Sequence, residues 1–432
     1  MRPANVTIAA LCLIAAAGAS AQNWPSFRGA GGSGLGNGAA PVTWDVAKPE
    51  NIVWKTNVSG VALSSPIVWE DRIYLTTAVA LEPARGEDFR TRHVWRVMSL
   101  DRATGKILWD TAAYQGTPQM GRHPKSSYAN STPATDGRYV VAMFGTDAFA
   151  CVDKSGKLLW RKEMQLDSKN DDFHFGSSPV IVEDLAILQD DREHGSYVAA
   201  YRLQDGQEVW KVARTEGPAQ STPVVTWTRG SERRPLVILA GGKYLRAVDA
   251  RSGREVWKMA ANTQAVSSSP VVAGDIVYFA GGGGKKPVYA FRADAAGDIS
   301  LASGQRNNAG VVWSTERGGT YIPSPLVVGE QLYVLGDNGV LAAYNVHNGR
   351  QLFQERAGTG DFYASPVAAD GKLYLFNTDG DVTVLRAGPT FEVLARNRMN
   401  EPTMATPAIV DGTLYVRTAG HMVALRGAGS RR

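Results

Sequence analysis

One recurring tripeptide constrains the fold of this chain more than any other feature. A proline preceded by small or hydroxyl residues occurs as Ser64-Ser65-Pro66, Ser131-Thr132-Pro133, Ser177-Ser178-Pro179 and Ser221-Thr222-Pro223. It continues as Ser268-Ser269-Pro270, Pro323-Ser324-Pro325, Ala364-Ser365-Pro366 and Ala405-Thr406-Pro407. The final prolines lie 67, 46, 44, 47, 55, 41 and 41 residues apart. Such a period marks an array of similar supersecondary units.

Each proline precedes an apolar run, and proline lacks the N–H a sheet ladder needs, so it belongs at the first residue of a strand. A turn with Gly or Asp leads to a second run such as Gln331-Leu332-Tyr333-Val334, aromatic and β-branched like a strand. Asn338-Gly339 and Asp379-Gly380 supply the positive φ of a tight hairpin, and a third run follows. The unit ends as in Asp101-Arg102-Ala103-Thr104-Gly105-Lys106-Ile107-Leu108-Trp109. The same Gly-to-Trp spacing returns at Gly156/Trp160, Gly206/Trp210 and Gly253/Trp257, with Phe353 following Gly349. Asp and Gly turn the chain into a fourth strand, whose Trp suits packing on the neighbouring sheet. A four-stranded unit at this period is a propeller blade.

After Pro407 only three strands can be read, while an orphan fourth strand, Asn51-Ile52-Val53-Trp54-Lys55, stands ahead of Pro66. The expected fold is all-β: an eight-bladed β-propeller of four-stranded antiparallel sheets. The N-terminal strand around Trp54 completes the last blade, which removes the edges an open array would expose. Two blades depart from the norm. A charged insertion around Glu82 to Arg92 is expected as a surface loop, and a long stretch separates the flexible turn Gly281 to Gly284 from Trp313.

Composition adds the compartment. Arg2, an apolar stretch from Val6 to Ala17 too short to span a bilayer, and Ala19-Ser20-Ala21 read as a signal peptide, 1–21, cleaved between Ala21 and Gln22. An N-terminal extension (22–50), the propeller (51–426) and a tail (427–432) follow. The protein is expected in the periplasm or outside the cell, as a monomer, with no transmembrane segment after cleavage. Cys12 follows Leu11 inside the apolar run, so a lipoprotein is not expected. Cleavage leaves Cys151 alone, which forbids an internal disulfide, and its alternating surroundings read as core. The net charge of +5 is spread over single basic residues, which gives no support to nucleic-acid binding.

The Ser-x-Pro start and Asp-x-x-Thr-Gly-x-x-x-Trp end resemble the blade repeat of pyrroloquinoline-quinone (PQQ)-type propellers. That superfamily includes quinoprotein alcohol dehydrogenases and the propeller lipoprotein of the outer-membrane β-barrel assembly machine. Trp24-Pro25-Ser26-Phe27-Arg28-Gly29, His123-Pro124-Lys125-Ser126-Ser127-Tyr128-Ala129 and Phe391-Glu392-Val393-Leu394-Ala395 look like stretches of secreted bacterial PQQ-binding-like β-propeller repeat proteins. For the dehydrogenases the resemblance implies PQQ under a disulfide of adjacent cysteines, with Ca²⁺ held by Glu, Asn and Asp. This sequence has no adjacent cysteines, no haem motif and no matching ligand set, so no cofactor is expected.

Local chemistry is sparse. The histidines at 93, 123, 174, 194, 347 and 421 show no paired metal spacing, and neither a nucleophile elbow nor a phosphate loop stands out. Asp171-Asp172-Phe173-His174 and Asp190-Asp191-Arg192-Glu193-His194 read as solvated loops at blade edges. Residues just ahead of each proline should ring one mouth of the central channel: Tyr128, Asn130, His174, Gln220, Ser267, Tyr321, Tyr363 and Met404. Their aromatic, amide and imidazole groups suit a small polar ligand or a peptide; alternatively they only pack the strand starts. The expected function is an exported, non-catalytic binding or scaffolding platform in the cell envelope. A PQQ-dependent oxidoreductase with a reduced site and a factor in outer-membrane protein assembly remain the alternatives.

Overall fold

A computed structural model describes residues 23–48, 51–82, 90–123, 125–164, 176–229, 231–261, 263–264 and 266–427. The signal-peptide segment, most of the Glu82 to Arg92 insertion, the Asp171 to His174 cluster and nearly all of the tail lie outside the described residues. Among those described, no helix is long and apolar enough to cross a membrane.

The chain forms eight antiparallel sheets of the expected kind, arranged as a ring. Blade 3 illustrates the unit: Val180–Val182, Leu185–Asp190, Tyr197–Arg202 and Glu208–Ala213 pair in sequence order. Blade 8 has Ala408–Val410, Thr413–Arg417 and His421–Arg426, and takes Ile52–Asn57 as its outer strand. The register pairs Trp54 with Ala424 and Asn57 with His421. The ring therefore closes through strand pairing between the two ends of the chain.

The core lies between blades rather than within one central mass. One apolar cluster joins Tyr74, Trp95 and Val97 of blade 1 to Val140, Ala142 and Phe144 of blade 2, and the next joins blade 2 to blade 3. The Gly-to-Trp signature is the fastener of these seams. A Cβ on Gly156 would lie 2.6 Å from Trp109 Cδ2, so only glycine, at φ +89°, lets the turn of blade 2 rest on the indole of blade 1. The Trp109 indole N–H donates to the Lys154 carbonyl in the same turn at 3.0 Å. Trp54, Trp160, Trp210, Trp257 and Trp313 each donate likewise to a carbonyl of the following blade, at Arg102, Leu203, Ala250, Ala293 and Val346.

Two irregularities have physical solutions that sequence did not reveal. Blade 7 carries Ala395 at the tryptophan position, opposite Val384. Trp44 of the N-terminal extension joins the apolar cluster on which Leu394 and Ala395 pack, and its backbone N–H donates to Asn397 Oδ1 at 3.0 Å. In blade 5 the long stretch before Trp313 crosses to blade 4. There Gly297–Asp298 adds a short parallel strand beside Trp257 and Lys258.

The N-terminal extension is a crossbar rather than a tail. Trp24 exchanges two backbone hydrogen bonds with Val68 of blade 1, and the Pro25 carbonyl accepts from Thr135 of blade 2. Further on, Arg28 reaches the Pro325 carbonyl of blade 6, Gly34 and Gly36 bond Ala368 of blade 7, and Asn37 bonds Gly412 of blade 8. Contacts on opposite sides of the ring mean that the segment crosses the axis and closes one end of the channel.

Candidate functional site

The prolines explain the geometry of the channel. Each one starts an inner strand without an N–H, and the hydroxyl residue before it faces the axis. There the N–H of one blade's hydroxyl residue donates to the hydroxyl of the next. Ser65 bonds Thr132 (2.9 Å), Thr132 bonds Ser178 (2.9 Å), Ser178 bonds Thr222 (3.1 Å) and Thr222 bonds Ser269 (2.8 Å). Ser269 bonds Ser324 (3.0 Å), Ser324 bonds Ser365 (2.9 Å) and Ser365 bonds Thr406 (2.9 Å). From Thr132 to Thr406 the second residue of the tripeptide is thus an inter-blade acceptor, which is why it stays Ser or Thr where the first varies. At the closing seam Arg417 of blade 8 spans the gap. Its buried guanidinium donates to Ser64 Oγ at 2.8 Å and to the Thr76 carbonyl at 2.6 Å, and burial pulls its pKa down to about 10.

Above this hydroxyl belt opens a funnel of about 590 Å³, within the usual range for ligand pockets. Of the expected mouth residues, Asn130, Gln220, Ser267, Tyr321, Tyr363 and Met404 line it. Tyr128 does not. Its ring is buried, 5.0 Å from His93 and 6.3 Å from Trp95 between centroids, and its carbonyl accepts from the Trp95 indole. The apolar seam between blades 1 and 2 takes the large ring, so this position is core. His174 lies outside the described residues. Asn130 lines the mouth with its side chain already engaged: Oδ1 accepts from the Ser127 N–H and hydroxyl, and Nδ2 donates to Ser126 Oγ.

The lining also includes Phe27, His123, Lys125, Asp337 and Asp361, none of which the repeat pattern singles out. Phe27 belongs to the crossbar and forms the floor. Lys125 Nζ lies 2.5 Å from Tyr363 Oη and 3.1 Å from Asp361 Oδ2, and the Tyr363 hydroxyl donates to the same carboxylate at 2.8 Å. The bonds from Tyr363 and Lys125 hold the Asp361 carboxyl below its ordinary range. Burial raises the Tyr363 phenol, and the bonds to Tyr363 and Asp361 raise the Lys125 ammonium. Asp337 Oδ1 accepts from Thr320 Oγ1 and from the Tyr321 and Ile322 N–H groups, while Lys286 Nζ sits 3.4 Å from Oδ2. The mouth therefore presents fixed donors and paired groups: the Tyr363 phenol and Lys125 ammonium on the Asp361 carboxylate, and Asp337 held by its own donors.

A second polar cluster departs from expectation. Asp190, Asp191 and Arg192 do not form a solvated edge; each is less than a tenth exposed. Arg192 forks onto Asp190 at 2.9 and 2.5 Å, and Arg214 onto Asp191 at 2.6 and 3.0 Å. Gln189 Nε2 ties Asp191 to the Ala240 carbonyl of blade 4. Each of these buried carboxylates is met by two in-plane N–H groups of a guanidinium, the geometry that best offsets burial.

The family described as outer membrane protein assembly factor BamB (PQQ_2) matches residues 42–191, 194–297 and 301–432. The chain belongs to that family. Curated members of the same description are similar only over short stretches. One from Marinobacter adhaerens is 27% identical over 21% of this chain and 23% of its own length. Another, from Burkholderia pseudomallei, is 31% identical over 25% of this chain and 28% of its own. These stretches span less than a third of either relative. BamB from Moraxella catarrhalis superposes with a TM-score of 0.57 at 14% identity, covering 88% of this chain and 99% of that one. A europium-containing methanol dehydrogenase gives 0.62 at 12% identity over 92% and 90%. At such identities the superpositions establish a shared propeller fold, common to assembly factors and quinoproteins, and nothing about activity.

Proposed function

We propose that this protein is exported and acts in the cell envelope as a non-catalytic binding platform, with the funnel mouth as its contact site for a polypeptide segment. The observation that carries this reading is the state of the mouth's ionisable groups. Lys125, Asp361 and Tyr363 hold one another, and Asp337 is engaged by four donors. A general base or activated nucleophile needs a pKa drawn toward neutrality, whereas these shifts run the other way. Groups of this kind supply orientation and hydrogen bonds, as a recognition surface does. The membership in an assembly-factor family and the signal-like N-terminus support an envelope location.

The quinone-with-Ca²⁺ reading fits these residues poorly. A Ca²⁺ site draws on several uncommitted oxygens, and the funnel carboxylates Asp337 and Asp361 already serve lysines and backbone N–H groups.

Photo-crosslinking tests the proposal in cells of the native host. A photoreactive side chain at Tyr321 or Met404 of the full chain should trap discrete envelope polypeptides. The same group at Ile107, exposed on the outer edge of blade 1, should not. Equal adducts from both places would overturn the mouth as the contact site. Stoichiometric PQQ binding with Ca²⁺, accompanied by alcohol-dependent dye reduction, would overturn the non-catalytic reading.

A further inference from the structure

The tetrapeptide Glu-Val-Trp-Lys occurs twice, as Glu208-Val209-Trp210-Lys211 and as Glu255-Val256-Trp257-Lys258, in the outer strands of blades 3 and 4. Both strands pair with their inner neighbours in the same register. Ala213 lies opposite Tyr197 as Ala260 lies opposite Tyr244. Each lysine ammonium rests over that tyrosine's ring, at 3.8 Å for Lys211 and 5.6 Å for Lys258. Sequence and local geometry therefore make two equivalent edges.

Their surroundings differ. On blade 4, Gly297–Asp298 runs parallel to the edge, opposite Trp257 and Lys258. The Ile299 N–H donates to the Lys258 carbonyl at 2.9 Å, and the Ala260 N–H donates to Ser300 Oγ at 2.8 Å. Asp298 Oδ2 stands 3.9 Å from Lys258 Nζ, and Ile299 joins the apolar cluster against which Val256 and Leu301 pack. One of the six residues of that outer strand stays exposed. On blade 3 five of the six are exposed, Val209 at 45% and Val212 at 36%, and no described strand lies beside them. The shared register aims the Lys211 carbonyl and the Ala213 N–H outward. Among the described residues Lys211 has its tyrosine but no carboxylate. An open edge with exposed apolar side chains and unmet backbone groups is a template for one more strand.

We propose that the outer edge of blade 3 takes an extended segment of another polypeptide as a parallel fifth strand, with an acidic residue facing Lys211 and apolar residues after it covering the valines. The pattern is the one blade 4 already uses: acidic, apolar, any residue, apolar, as in Asp298-Ile299-Ser300-Leu301. Main-chain bonds hold a strand added in this way, and its side chains select it. The chain's own Gly297–Asp298 is engaged on blade 4, so the segment comes from elsewhere. No residue of the blade 3 edge lines the funnel, and the site is therefore separate from the mouth. Blade 1 carries Asp110 at the lysine position and lacks the cation that selects the segment.

The probe is a fluorescent peptide with the sequence of residues 294–301, titrated by anisotropy with the full mature chain. It should bind saturably. Lys211→Glu, an exposed change, should weaken binding about tenfold, and a peptide with Asp298→Lys should regain most of that loss on the same variant. Ala213→Pro removes the outward N–H, a change an edge strand tolerates, and should weaken binding at least as much. A photoreactive group in the peptide should label blade 3. No saturable binding to the native chain, equal affinity in K211E, or label on funnel residues alone would overturn the proposal.

Discussion

The backbone N–H of Ser365 donates to the hydroxyl of Thr406 at 2.9 Å, from blade 7 to blade 8. Both residues sit immediately before a proline, and the same bond recurs around the axis. The short-range signature that starts each inner strand is therefore also what ties each blade to the next.

Thr406→Val tests the cost of one such link. The Ser365 N–H is buried, and valine fills the space without accepting it. Leaving a buried donor unmet should cost about 1–3 kcal/mol. Thr406→Ser keeps the acceptor and should lose less than about 1 kcal/mol, the value of one methyl group. Chemical denaturation of the two variants measures the difference.

The tryptophan seams predict a contrast between two glycines that both have positive φ. Gly371, at φ +67°, has nothing within 4 Å of where a Cβ would be, whereas Gly156 would clash with the Trp109 indole. Gly371→Ala should cost only the backbone term, about 1–2 kcal/mol. Gly156→Ala should lose roughly 1–3 kcal/mol more through overpacking. Equal losses would mean that the indole yields freely.

Asp191 and Arg214 predict strong non-additivity. Asp191→Ala strands a buried guanidinium and should destabilise by about 3–5 kcal/mol, whereas Asp191→Leu with Arg214→Met should recover much of that loss. A double-mutant cycle by denaturant unfolding reads the coupling.

Asp147 predicts an unusual pH dependence. Burial pushes its carboxyl up to about 7, against one opposing N–H bond from Gln119. Because the folded state holds this proton more tightly than the unfolded chain, the contribution is favourable at low pH. It is lost as pH rises from the ordinary value of 3.8 through about 7. Asp147→Asn should therefore be the more stable protein above about pH 7, and the gap should close on acidification. Comparing the two denaturation midpoints across that range cancels the other carboxylates; a pH-independent difference would contradict the assignment.

Much of this architecture was legible in the chain because its determinants are local and repeated. The proline marks a strand start wherever it falls, the hydroxyl before it is an inter-blade acceptor from blade 2 to blade 8, and Gly-x-x-x-Trp is a turn followed by a docking ring. The closing strand around Trp54 could be read from the missing fourth strand at the other end. Six of the eight mouth positions followed from the same repeat.

What the repeat could not convey is how residues without periodicity meet across the ring. Tyr128 and Asn130 share one connection two residues apart, and only packing decides that the tyrosine enters the seam with Trp95 while the asparagine faces the funnel. Lys125 finds Asp361 and Tyr363 over more than 230 positions of sequence, and Arg28 finds Pro325 over nearly 300. Asp190 and Asp191 look hydrophilic in isolation, yet their arginines let them be buried. The recurring tripeptide thus set the number of blades and the inner belt of the channel, since hydrogen bonding between neighbours needs only local geometry. The floor, the charges at the mouth and the Arg28–Pro325 contact were decided by tertiary structure, because each depends on distant segments that only ring closure brings together.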